Sequence, residues 1–82
     1  MTPHEQTTGN KMANERLAIN TLIVVMKSNE YALSVRMGAA EGLGYAGGIE
    51  AREALIKVVQ SDSYSNDLRA AAATALGRAS RA

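Results

Sequence analysis

The chain repeats itself, and this limits its fold more than any other feature. Laid over residues 50 to 82, residues 17 to 49 align at an offset of 33 without a gap. Leu22 falls on Leu55, Ile23 on Ile56, Ser28 on Ser61, Tyr31 on Tyr64 and Arg36 on Arg69. Ala39-Ala40 fall on Ala72-Ala73, and Leu43-Gly44 on Leu76-Gly77. Self-similarity at this period is the signature of a solenoid of stacked helix pairs.

Within each unit the apolar spacing is helical. Val35, Ala39, Leu43 and Ala46 follow one another at steps of four, four and three, which makes one stripe on a 3.6-residue period. This predicts an A helix over residues 34 to 46, with Ser34 as its N-cap and Asp67 capping its second copy. Residues 49 to 61 place Ala51, Ala54, Leu55, Val58 and Val59 on one side, with Glu50, Glu53, Lys57 and Gln60 on the other. They form an amphipathic B helix whose glutamates lie near its positive end. Its first copy spans about residues 14 to 27. The predicted fold is all-α: a short α-solenoid of about four helices in the order B-A-B-A. Residues 1–13 read as a flexible or degenerate-helix tail, and 14–82 as the repeat domain.

Composition agrees with closely packed helices. Ala is abundant, Phe and Trp are absent, and the only aromatics are Tyr31, Tyr45 and Tyr64. A domain of this size buries only about two-thirds of its unfolded surface, leaving little room for an enclosed active site. No cysteine is present, so a disulfide framework and a thiolate metal site are excluded. The N-terminus has neither basic region nor apolar run, and the longest apolar stretch, Leu22 to Met26, is too short to cross a bilayer. The cytoplasm is the expected location, with no membrane partner. Net charge is +1 with both signs interspersed. A nucleic-acid-binding solenoid using Lys11, Arg16, Arg78 and Arg81 therefore gains no support from composition.

The wording of the repeat is Val-Arg-x-x-Ala-Ala-x-x-Leu-Gly-x-Ala-Gly from Val35, then Glu50-Ala51 and Leu55, Asp62, and Leu-Arg-x-x-Ala-Ala-x-x-Leu-Gly from Leu68. It resembles the HEAT-like repeats named after phycobilisome lyases, over about residues 17 to 80. That resemblance implies the helix-pair fold. It leaves function wide, because such repeats occur in bilin lyases, in a metal-dependent hydroxylase and in many adaptor proteins.

Several motifs carry a possible chemistry. Gly42 to Gly47, GLGYAG, fits the G-x-G-x-x-G pattern of a dinucleotide turn, but that turn needs a preceding strand and a following helix. Here the glycines close a helix, so Gly44 reads as a close-packing residue and Gly47-Gly48 as the A–B turn. Gly38 and Gly42, one turn apart, admit either a neighbouring helix or a partner's backbone. The recurring arginines, Arg36 and Arg69, admit an anion ladder or a tie to carboxylates and loop carbonyls, the latter being favoured. His4-Glu5 stands in register with a His-Glu pair of the hydroxylase members, but Met37-Gly38 and Ala70-Ala71 occupy the corresponding places in the units that follow. No metal or cofactor is expected, and the only histidine lies in the tail, so no nucleophile, base and acid set is available. The chain reads as a non-enzyme.

Protein binding is the leading expectation. Leu17 and Val24 put apolar surface where the second B helix carries Glu50 and Lys57. Tyr45 lies outside the repeat, since Arg78 replaces it, which makes it a candidate partner contact. The Ala/Leu side of residues 68 to 79, including Leu68 and Leu76, is expected to lack cover. These five residues are the candidate binding set, for an unidentified protein or a second copy in a two-fold dimer or helix-exchanged oligomer. An accessory or chaperone role in attaching or removing bilin on phycobiliproteins is the alternative that the resemblance implies.

Overall fold

The computed structural model describes the backbone of residues 3 to 81 and the side chains of residues 14 to 81. Four helices follow one another: α1 (Pro3–Lys27), α2 (Leu33–Ala46), α3 (Ile49–Gln60) and α4 (Asn66–Ala79). The all-α architecture and the B-A-B-A order are as the repeat predicts, with α1 and α3 as B helices and α2 and α4 as A helices. The A helices stack side by side with the most extensive contact in the molecule, and each B helix packs on the A helix that follows it.

The turns explain where helices stop. Gly47 and Gly48 have φ of 66° and 88°, a left-handed region that side chains rarely enter. Gly47 N–H closes α2 by donating to the Leu43 carbonyl at 3.0 Å. The B–A loops are copies of each other: Ser28 Oγ accepts from Glu30 N–H at 3.2 Å, and Ser61 Oγ from Ser63 N–H at 3.1 Å. These local hydroxyl bonds hold the loop backbone in a turn.

Both predicted caps lie elsewhere. The α4 cap is Ser65, whose hydroxyl accepts from Leu68 N–H at 3.2 Å, while Asp67 sits in the first turn, where its charge faces the helix dipole. The α2 cap is Ala32, with no side-chain bond, and Ser34 lies inside the helix. The helical stripe continues two residues further toward the N-terminus than the apolar pattern marks. The first B helix, α1, runs from Pro3 to Lys27 as one helix.

The core is built from small side chains. Ala39, Ala40, Leu43, Ala51, Ala54, Leu55, Val58, Leu68, Ala72, Ala75 and Ala79 are buried together with Met26. Its dimensions are set where α2 meets α4. A Cβ on Gly44 would lie 2.9 Å from both the Ala75 Cα and its carbonyl oxygen. No real side chain fits there, so the two backbones touch.

Equivalent arginines tie each B helix to the next A helix. Arg36 Nε donates to the Met26 carbonyl, and Arg69 Nε to the Val59 carbonyl, each at 3.0 Å. Met26 and Val59 are themselves repeat counterparts near the ends of α1 and α3, where the last carbonyls of a helix have no partner of their own. The anion-ladder alternative therefore gives way to a structural tie. Arg69 also lies 4.0 Å from exposed Asp62. Asn29 occupies the equivalent place beside Arg36, whose buried Nη2 has no partner.

Two alanine substitutions separate these roles of glycine. Gly44→Ala gains about 1 kcal/mol in helix propensity, but the overpacking costs ~1–3 kcal/mol or more because backbone must move. Gly38, with nothing within 4 Å of its added Cβ, gains up to about 1 kcal/mol on the same change. Urea unfolding is expected to show Gly44→Ala destabilised and Gly38→Ala stabilised.

Candidate protein-binding surface

Leu17 and Val24 are seven residues apart, two turns on one face of α1, and they are 63% and 62% exposed. Between them Thr21 turns its hydroxyl back to the Leu17 carbonyl at 2.7 Å, satisfying its polar group and presenting its methyl side. With Val25 and Tyr31 these residues line a shallow, mainly apolar groove of about 270 Å³. No described helix folds back to cover it, so the band that the sequence marks as anomalous is open.

A second groove, about 500 Å³, runs between the A helices. Gly38 and Ala71 are among its small residues, and Ser34, Glu41, Thr74 and Arg78 supply its polar rim. It is a product of the same Gly44–Ala75 contact: where two helices touch at one level, their flanks leave a furrow. Tyr45 lines neither groove.

Tyr45 nevertheless has an explanation. The Arg78 guanidinium lies 4.5 Å from its ring centroid. Residues 45 and 78 occupy the same repeat position, so the departure from the pattern places an aromatic ring and a cation on neighbouring A helices, where they stack. Tyr45 is 65% exposed, with one face taken by its own chain. A related contact holds the second loop, where Arg36 lies 5.7 Å from the Tyr64 ring centroid.

The expectation for α4 needs correction. Leu68 is fully buried and Leu76 is partly buried against the core, so the Ala/Leu side of residues 68 to 79 faces inward. Its cover is α2 and α3. The exposed side of α4 is the opposite one, Ala70, Ala73 and Gly77. Leu68 therefore drops out of the binding set and Leu76 contributes mainly to packing. Val35, the repeat counterpart of Leu68, is 48% exposed on α2. Val35 and Tyr31, like Leu33, Ile49 and Ile56, are exposed large side chains outside the five candidate residues. For Val35 and Tyr31 the signal was the repeat itself, because among the described residues no unit covers them as the first unit covers Leu68 and Tyr64 in the second.

Leu17 and Val24 are thus brought together, whereas Tyr45 stands apart from them. Among the described residues, no three His, Cys, Asp or Glu side chains converge in a metal-holding group, and no helix is long and apolar enough to cross a membrane. His4, Glu5 and Lys11 lie outside the described side chains. Comparison with family models, with curated proteins and with solved structures finds no match.

The stacked pair is measurable. A double-mutant cycle on Tyr45→Ala and Arg78→Ala should return a favourable coupling of about 0.5–1 kcal/mol, the range for an exposed cation–π contact. A coupling of zero would mean that the ring and guanidinium do not interact in solution.

Proposed function

We propose that this chain is a non-enzymatic helical-repeat module that binds protein and associates with itself. The observation that carries the reading is the apolar band of α1. Leu17 and Val24 stand open to solvent beside Tyr31, at positions where the second unit has Glu50 and Lys57. In a domain this small an exposed aliphatic band on an ordered helix is surface that gains by being covered. Clustered aliphatic residues beside a tyrosine, with a polar rim at hand in Asn20 and Thr21, match the anatomy of a protein contact. The resemblance to HEAT-like repeats favours the same class of function. No structural observation favours the bilin accessory role over it. Nor does one favour nucleic acid: of Lys11, Arg16, Arg78 and Arg81, Arg78 is stacked on Tyr45.

The test compares the wild-type chain with a Leu17→Lys/Val24→Lys variant. Both side chains are exposed, so the variant should keep its helical circular dichroism and its thermal transition. Affinity capture from the native lysate should show binding of another protein by the wild type and its loss in the variant. A wild-type chain that captures nothing and sediments as a monomer would overturn the reading.

A further inference from the structure

The repeat makes each open face of the molecule comparable with a buried one. On the first unit, Val35, Tyr31, Ala18 and Thr21 are exposed, whereas their counterparts in the second unit are covered. Leu68, Ala51 and Ala54 are buried, and Tyr64 is packed against the core. On the second unit, Ala70, Ala73, Gly77 and Ile56 are exposed. Their counterparts in the first unit, Met37, Ala40, Gly44 and Ile23, are packed in the interface between the units. The first unit thus presents the same kind of face that the second unit turns inward, and the second presents the kind that the first turns inward. The molecule has two unlike ends, and the contact that joins its halves is the contact its ends could make with each other.

We infer that a second copy of this chain stacks head to tail on the first, the outer face of α4 and α3 in one copy meeting the open face of α2 and α1 in the next. This rests on the reading of the chain as a self-associating module and names the surface and its geometry. Continuing the internal interface by one period fixes the pairs. The Gly44–Ala75 contact becomes Gly77 of one copy against Gly42 of the other. Gly77 has nothing within 4 Å of an added Cβ, so backbone can reach it as it reaches Gly44. The Arg36–Tyr64 contact becomes Arg69 over Tyr31, a ring 44% exposed and without an arginine of its own. Val35 passes into the environment that buries Leu68. One position is better suited to the stack than the internal interface is, since Ala70 replaces Met37 and Gly38 replaces Ala71, leaving still smaller side chains between the helices.

The arrangement is heterologous, because different faces meet. Such a contact does not close on itself as a two-fold dimer does; it extends to longer arrays unless the rotation happens to form a ring. Each added copy lengthens the solenoid by two units and covers the end that precedes it.

The absence of native cysteine makes a direct test available. A chain carrying Gly42→Cys and Gly77→Cys has one thiol on α2 and the other on the exposed side of α4. Under mild oxidation the stack brings residue 42 of one copy beside residue 77 of the next, so non-reducing electrophoresis should show a ladder of dimers, trimers and longer species. Peptide mapping should find the 42–77 linkage. Because Gly42 lies against Leu22, with 3.3 Å to an added Cβ, a second chain carrying Gly38→Cys and Ala73→Cys, both at exposed positions one turn along the same helices, is run beside it. Either ladder supports the stack. Linkages of 42 to 42 or 77 to 77, or 38 to 38 or 73 to 73, would indicate a two-fold arrangement and overturn it. So would folded chains that stay monomeric at high micromolar concentration. If those monomers still capture another protein through Leu17 and Val24, protein binding stands and only the stack fails.

Discussion

The contact between Gly44 and Ala75 sets the spacing on which the rest of this structure depends. Backbone meets backbone there, with no space for even one carbon on Gly44. Helices that approach so closely can only have small residues between them, which is why the core is mostly alanine, with Met26, Leu43, Leu55, Leu68 and Val58 as its largest side chains. The same approach creates the furrow on the outer side of α2 and α4. A small domain buries little area, and close contact makes that area count, since dispersion falls away steeply with a gap.

The arginine ties act on the other axis, fixing each B helix relative to the A helix that follows. Each guanidinium reaches back ten residues to a carbonyl near the end of a helix. That carbonyl would otherwise be an orphan, and a charged donor satisfies it with a bond stronger than a neutral one. The tie places the loop, and the loop places its tyrosine: Tyr64 is held between core and Arg36, whereas Tyr31, which no described unit covers, is surface. One piece of chemistry therefore serves the fold in the second unit and leaves an exposed ring in the first.

Much of this was legible before any coordinates. The 33-residue offset carries the number and order of helices, the Gly47-Gly48 turn and the structural reading of GLGYAG and of the arginines. The apolar anomaly of Leu17 and Val24 was legible as well, because comparing two copies of one unit shows which residues the unit does not require. The caps were less so. Ser34 and Ser65 are both plausible oxygens near a helix start, and only the dihedral angles decide that residue 65 bonds the first turn while residue 34 lies within the helix. Tyr45 was visible as an exception, but its partner was not. Its stacking on Arg78 depends on the lateral distance between α2 and α4, which the repeat does not contain.

Sequence alone determined the repeat, the helical class, the close-packing role of Gly44 and the absence of a thiol or a histidine-based catalytic set. Tertiary structure decided which way the equivalent faces look. Val35 and Leu68 have the same place in the same pattern, yet one is half exposed and the other fully buried. Periodicity tells a helix which residues share a stripe, but burial belongs to the neighbour that covers the stripe. In a solenoid that neighbour is the preceding unit, which covers Leu68, while no described residues cover Val35 in the same way.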